Sequence, residues 1–321
     1  MENGLIHAFV LKPGGDVESL DFDGVRAWTP EQGVLWAHFQ LDATDAREWL
    51  GKRARLPHLV PEALLAGETR PRASSTGEGI LVTLRGVNLN PGADPEDMVS
   101  IRMWVDEHRL ISTRRRQLLS VQDAVKSMTD VPVTGTPDLV LRITNRLTER
   151  MGDVIDDLED RVALLEASIM EKPDPTIRAD LSELRREAIA LRRYLAPQRE
   201  ALTRMQLEPP AFFSDLDRVR LREITDRLVR LVEDLDAVRE RASVVQEELV
   251  SRLSDQMNQR MYVLSVVAAL FLPMGFLTGL LGINVGGIPM ADNPFGFWIF
   301  TGLLVLVLAI QLFVFLRKRW F

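Results

Sequence analysis

Residues 261–285, MYVLSVVAALFLPMGFLTGLLGINV, contain no acidic or basic side chain over 25 positions. A second apolar stretch, residues 293–316 (NPFGFWIFTGLLVLVLAIQLFVFL), has none over 24 positions. As a helix, each is long enough to cross about 30 Å of hydrocarbon at about 1.5 Å per residue. The alternative is a buried hairpin in a soluble core, which would need a large shell of protein around it. The sequence therefore predicts two membrane helices joined by an outer loop over 286–292.

Charges flank this hairpin unevenly. Arg252 and Arg260 precede the first apolar stretch, a basic tail (317–321) follows the second, and the loop between them has no Lys or Arg. Because basic residues collect on the cytoplasmic side of membrane spans, both ends of the chain are expected in the cytoplasm. The sequence does not begin with a charged and apolar leader, so the large polar part is expected to stay inside.

The composition narrows the function classes. The chain of 321 residues has no Cys, which excludes disulfides, thiolate zinc sites and cysteine nucleophiles. Its 39 basic and 46 acidic residues give a net charge of −7, which argues against a nucleic-acid partner and favours cations. No Gly-x-x-x-x-Gly-Lys-Ser/Thr motif supports a nucleotide-driven pump, and no enzyme activity is predicted. The four histidines lack ligand-like spacing and are predicted to be packing or surface residues: His7, His38, His58 and His108.

Residues 1–131 are predicted to form a cytoplasmic α/β domain. Short β-branched and aromatic runs predict strands over 5–11, 34–41, 80–87, 99–105 and 109–113. Helices are predicted over 44–50, 61–66 and 118–128. The pattern does not specify the order of the strands.

Residues 132–260 are predicted to form a funnel or stalk of long helices, which makes the fold class α+β. Apolar residues recur every three or four positions over 140–169 and again over 181–205, after a break at 172–175. A seven-residue apolar repeat over 221–249 then leads into the first span, with no helix breaker before Pro273. This repeat could pack on the two preceding helices or form a coiled coil with another chain.

A second stripe follows the same helix into the first span. It is polar before the span and small or moderately apolar within it, so it could line an axis shared by several copies, since two spans cannot enclose a pore alone. It could also face lipid or the second span of its own chain. We assign part of it to a cytoplasmic mouth, Glu247 and Ser254. The pore lining or gate is assigned to Asn258, Met261, Ser265, Leu272, Gly275 and Gly279.

Three features of the first span bear on this hypothesis. The spacing Gly275-x-x-x-Gly279 permits close approach of helix backbones. Pro273 removes a backbone donor, and the freed carbonyl could face the axis or be satisfied locally. At the outer end, the amide of Asn284 could hold a hydrated cation in a ring of copies, or could simply end a helix.

Taken together, the two C-terminal spans, the long helix entering the first, the motif Gly282-Ile283-Asn284 and a short acidic loop resemble the CorA superfamily of divalent-cation transporters. The superfamily hallmark is Gly-Met-Asn, and this chain has Gly-Ile-Asn. That departure, with the loop over 286–294 and Leu272-Pro273-Met274, is similar to the ZntB branch of zinc transporters.

The resemblance implies a homopentamer in the lipid bilayer of a bacterial inner membrane, with the first span lining the pore. It implies zinc as the transported substrate, possible coupling to protons, and no tightly bound cofactor. In this interpretation Gly282, Ile283 and Asn284 form the selectivity motif, Asn284 is a transient ligand, and Asp292 attracts cations to the outer loop. The alternatives are a magnesium or cobalt channel of the CorA type and, in a different class, a non-transporting membrane-anchored scaffold.

Overall fold

The computed structural model describes residues 3–12, 16–67, 70–282 and 293–317. The chain divides into two compact units, residues 1–247 and residues 248–321. Each unit is described by itself. The domain boundaries expected from the sequence, at 131 and 260, remain predictions.

The first unit contains a seven-stranded mixed sheet. Its order, among the described residues, is β2-β1-β3-β7-β6-β5-β4. The strands are β1 (Leu5–Leu11), β2 (Val17–Ser19), β3 (Val34–Gln40), β4 (Arg72–Ser75), β5 (Gly79–Gly86), β6 (Val99–Asp106) and β7 (Arg109–Arg114). All five predicted strands are confirmed. The sequence did not predict β2 and β4, because these edge strands of 3 and 4 residues carry no alternating apolar pattern.

Among the described strands, one neighbouring pair is parallel. β3 pairs with β7 in parallel, with Ala37 opposite Ile111, whereas the other neighbours are antiparallel. Three short helices cover one face: α1 (Phe22–Ala27), α2 (Thr44–Lys52) and α3 (Val60–Leu65). Their core is aromatic, and the rings of Phe39 and Trp49 lie 5.3 Å apart. The predicted helices at 44–50 and 61–66 are confirmed, whereas α1 was not predicted.

The next four helices along the chain are α4 (Leu119–Asp130), α5 (Thr136–Glu171), α6 (Ile177–Leu207) and α7 (Asp215–Leu281). Charge pairs join the last three. Arg161 on α5 donates to Glu187 on α6 at 2.6 Å, and Arg192 on α6 donates to Asp236 on α7 at 2.6 Å. These helices confirm the predicted helices over 118–128, 140–169 and 181–205.

The seven-residue repeat of α7 is buried within a single chain. Leu221, Leu228 and Leu235 are almost completely inaccessible, and Leu231 reaches toward Gly152 of α5. The repeat therefore packs on the preceding helices, and a coiled coil with another chain is not needed to explain it. In the second unit, α7 continues through the first predicted span, and α8 (Gly296–Arg317) forms the second.

We expect Leu228→Ala to destabilise the first unit by about 2–5 kcal/mol, because it leaves a cavity in a closely packed seam. Leu216→Ala is the matched control on the same helix, since Leu216 is 62% exposed, and it should cost less than about 0.5 kcal/mol. Denaturant unfolding of the full-length protein in detergent, followed by tryptophan fluorescence, measures both. Equal losses in the two variants would show that the repeat does not hold α7 to its neighbours.

Candidate functional site

The second unit presents two apolar helices. The most apolar 18-residue stretch has a mean hydropathy of 2.2 in α7 and 2.8 in α8. Only 6% of each stretch is buried. Large side chains such as Leu272, Phe276 and Trp298 are about 70% exposed. By length and composition both helices can cross a membrane, and a surface this apolar is suited to lipid or to other copies of the span rather than to water.

The predicted stripe on α7 is exposed in the single chain. Within residues 261–282, Val266 is buried, and Leu270, Met274 and Leu277 continue its side of the helix as half-buried residues. In contrast, the stripe residues all lie at the surface: Asn258, Met261, Ser265, Leu272, Gly275 and Gly279. The stripe therefore does not pack on the second span of its own chain. Lipid or another copy is left to cover it.

The glycines of this stripe leave a flat, open surface. A methyl group in place of the hydrogen of Gly275 or Gly279 would meet no atom within 4 Å. The hydroxyl of Ser265 donates to the Met261 carbonyl of its own helix at 2.8 Å. Neither glycine is thus used for packing in the described part of the single chain, and a second helix could approach this side closely.

The part of the stripe that precedes the first span is also at the surface. Glu247 and Ser254 are exposed, while Leu249 between them is buried on another side of α7. A carboxylate on this side is free to act on ions in solution.

The carbonyl freed by Pro273 is satisfied within the hairpin. Proline has no N–H, so the carbonyl of Ala269, four residues earlier, lacks its helical partner. The side-chain amide of Gln311 on α8 lies 3.5 Å from that carbonyl oxygen and donates to it. Of the two alternatives that the sequence left open for the freed carbonyl, the structure supports the local one.

Gln311 is a functional candidate that sequence reasoning missed. The sequence did indicate that Gln311 is unusual, because it is a lone amide in an otherwise apolar stretch of α8. Its Oε1 atom is buried without a partner in the described structure. The partner of its amide nitrogen could not be read from the sequence, since Ala269 lies 42 positions away.

The outer end of α7 is described as far as Gly282. Its N–H donates to the Thr278 carbonyl at 2.9 Å, and a methyl group on Gly282 would approach the same oxygen to 2.8 Å. Glycine is thus the residue that fits this helix end. The remaining outer candidates, Ile283, Asn284 and Asp292, lie outside the described residues, as does most of the predicted basic tail. The second span begins with Asn293, whose side chain accepts from the N–H of Phe295 at 2.9 Å.

The histidines belong to the fold of the first unit. His7 and His38 stack with ring centroids 5.0 Å apart, and Nδ1 of His38 lies 2.8 Å from the Ser112 hydroxyl. Burial lowers the pKa of His7 to about 4 and that of His38 well below its usual value. Both imidazoles are therefore neutral at cytoplasmic pH. His58 and His108 are exposed, and the described residues hold no group of three His, Cys, Asp or Glu suited to a metal.

These features define a class of protein: a two-span membrane protein whose first span carries an exposed stripe of small, hydroxyl and apolar residues. The family model described as "CorA-like Mg2+ transporter protein" matches residues 31–319. The chain is 40% identical over 328 residues to the divalent cation transporter CmaX of Pseudomonas aeruginosa, with 99% of this chain and 97% of the relative covered. It is 36% identical over 319 residues to the zinc transport protein ZntB of Pectobacterium atrosepticum, with 97% of each covered.

A solved structure agrees with these matches. The full-length CmaX structure superposes with a TM-score of 0.85 at 38% identity and covers 100% of this chain and 99% of that one. The chain belongs to the CorA-like family of divalent-cation transporters, and it is not an enzyme. Members of this family are inner-membrane proteins, which fits the two apolar helices.

We expect Gln311→Leu to weaken the hairpin by about 1 kcal/mol, because the Ala269 carbonyl then has no donor inside the membrane. Thr301→Val is the control on α8, since the Thr301 hydroxyl donates within its own helix to Phe297 at 2.9 Å. Thermal unfolding and cation flux of the full-length protein measure both variants.

A second background makes this test specific. Pro273→Ala restores the missing N–H, so Gln311→Leu should cost clearly less in that background than in the parent. An equal cost in both backgrounds would mean that the amide does not act on the carbonyl freed by proline.

Proposed function

We propose that this protein transports Zn²⁺ across the bacterial inner membrane through a homopentameric pore lined by the exposed stripe of α7. The observation that carries the pore assignment is the exposure of that stripe in a chain whose own second span covers another side of the helix. Zinc is supported by the relative named a zinc transport protein, which aligns over nearly the whole chain. The relative at 40% identity is named only for divalent cations, so zinc is the finer part of the proposal.

The proposed orientation places both termini in the cytoplasm. It rests on the basic residues beside the spans and the absence of Lys and Arg between them. The sequence assigns no direction of transport. Proton coupling is a further part of the proposal, which the flux experiment below measures directly.

We assign successive roles along the stripe. Glu247 and Ser254 form the cytoplasmic mouth, where a ring of carboxylates concentrates cations by its field. Asn258 and Ser265 provide polar atoms within the pore, and Met261 and Leu272 form apolar rings that close it by excluding water. Gly275 and Gly279 permit close approach of neighbouring helices.

The outer residues are assigned to selection and attraction. Asn284, within the Gly282-Ile283-Asn284 motif, coordinates the ion or its water through a neutral carbonyl oxygen. Asp292 provides one negative charge per copy, which attracts divalent cations over about 10 Å at 0.1 M salt. No resident cofactor is included in the proposal, and zinc is a substrate.

A magnesium or cobalt channel is the second candidate, because the description of the matching family model names Mg2+ as the transported ion. Membership of a transporter family gives the membrane-anchored scaffold hypothesis no support. Reconstitution of the purified protein in liposomes, with zinc, magnesium and proton fluxes measured in both gradient directions, tests the proposal. Zinc flux well above that of protein-free liposomes is expected, whereas magnesium flux without zinc flux would overturn the zinc assignment.

The outer residues give a prediction with two separable results. Asp292→Asn should raise the zinc concentration that gives half-maximal flux and leave the maximal rate nearly unchanged, because it removes attraction at a distance. Asn284→Ala should abolish flux or its selectivity at every concentration, because alanine offers no side-chain oxygen. Each variant is compared at equal reconstituted amounts and after its oligomeric mass is checked. Normal zinc flux in an assembled Asn284→Ala protein would identify Asn284 as an ordinary helix end.

A further inference from the structure

A groove of about 410 Å³ lies in the first unit between α5 and α7, beside the end of α4. Its apolar floor includes Leu141 and Ile224, and its sides include four arginines: Arg142, Arg146, Arg220 and Arg227. Among the residues that line it, only two are acidic, Asp138 and Glu223. The groove is therefore electropositive, although the whole chain has a net charge of −7.

Arg142 has a structural role. Its guanidinium donates to the carbonyl oxygens of Ser127, Val131 and Pro132 at the end of α4, at 3.2, 3.1 and 2.9 Å. It also donates to Asp138 at 2.9 Å. Its donors are thus committed to the fold.

The other three arginines each form an ion pair and keep some of their N–H donors unpaired within the described residues. Arg220 donates to Asp138 at 2.9 Å, and the side chain of this aspartate is only 3% exposed. Asp138 is therefore shared by two arginines, Arg142 and Arg220. Across the groove, Glu149 is shared in the same way by Arg146 at 2.8 Å and Arg227 at 3.7 Å. Each arrangement leaves one positive charge in excess, and Glu223 in the lining offsets one of the two, so four arginines face three carboxylates.

Free donors remain on each of these side chains. In the contacts that the described residues make, Arg146, Arg220 and Arg227 use only their Nη1 atoms. Their side chains are 43–46% exposed. The Nε and Nη2 groups of all three thus remain available to a ligand, on side chains whose positions are already fixed by carboxylates.

We propose that this groove is a binding site for a phosphate-bearing anion. A guanidinium binds phosphate oxygens through paired N–H groups, and three of them around one groove suit a group with several negative charges. The volume is that of a small-molecule site, and the floor can accept an apolar portion of the ligand. In this proposal the ligand is a regulator that is bound and released unchanged.

ATP and inorganic pyrophosphate are the probes, with adenosine as the uncharged comparison. Binding to the full-length protein in detergent is measured by calorimetry, with EDTA present so that no metal bridges ligand and protein. Saturable binding of ATP is expected, with none of adenosine. Raising the salt from about 0.1 to 0.5 M should weaken it, because the groove acts through charge. These measurements contain no zinc, so their outcome is separable from that of the flux experiment.

Arg227→Gln is the first variant. Glu149, the partner of Arg227, still pairs with Arg146 in this variant, so the fold should be undisturbed. The variant should weaken ATP binding by about tenfold, and Arg220→Gln should do the same, since each removes a charge-assisted contact. Arg241→Gln is the matched control, an exposed arginine of α7 that pairs with Glu166 at 2.8 Å outside the groove, and it should bind like the parent.

Two results would overturn the proposal. One is the absence of saturable binding of both ATP and pyrophosphate to the parent protein. The other is a pair of groove variants that bind as the Arg241→Gln control does. If Arg227→Gln instead lowers the oligomeric mass and leaves anion binding unchanged, the groove is a contact between copies of the chain and not a ligand site.

Discussion

Every polar backbone group inside a membrane needs a hydrogen-bond partner within the protein. In this hairpin the carbonyl of Ala269 loses its helical partner because Pro273 has no N–H. Pro273 interrupts the hydrogen-bond ladder of α7, and the amide of Gln311 on α8 reaches the oxygen that is left over. The contact ties the two spans together at the depth of the interruption. The buried and half-buried residues of the span, Val266, Leu270 and Leu277, lie on a different side of α7 from Ser265 and Leu272, which stay exposed in the single chain.

In the first unit, α7 packs against other helices of its own chain. There its apolar repeat is buried against the preceding helices, and charge pairs such as Arg192 with Asp236 fix its register on them. Such exposed pairs contribute little energy individually, whereas the buried leucines contribute most of the stability. The stripe from Glu247 to Gly279 and this buried seam lie on the same continuous helix, α7.

The periodic spacing of apolar residues was enough to predict the long helices and the longer strands. The five central strands, α4 to α6, and the course of α7 into the membrane follow from apolar spacing, because each buries a continuous face. Short elements such as β2 and α1 were not predicted, since β2 is fully exposed and α1 buries only two residues, so neither carries a clear apolar pattern. The parallel pairing of β3 with β7 joins segments about 75 positions apart, and nothing local specifies it. For the same reason the sequence identified Pro273 but not Gln311, whose role depends on a distant carbonyl. The position of Asn284 at the outer helix end indicated a candidate ligand, the resemblance added its role in selectivity, and two of the three residues of the Gly-Ile-Asn motif lie outside the described structure.

The distribution of charge separates two kinds of ligand. Along the exposed stripe the ionisable group is the carboxylate of Glu247, and the span itself offers only neutral oxygens and apolar side chains, which suits a cation that must enter and leave quickly. In the groove between α5 and α7, two carboxylates each hold two arginines, so the excess charge is positive and fixed in position. The positive excess of the groove favours an anion, and the exposed carboxylate of Glu247 favours a cation. In the proposed scheme, an anion that braces Arg220 and Arg227 against α5 acts on α7, the helix that also carries the stripe assigned to the pore. Regulation by an anion therefore need not compete with the transported ion for any ligand.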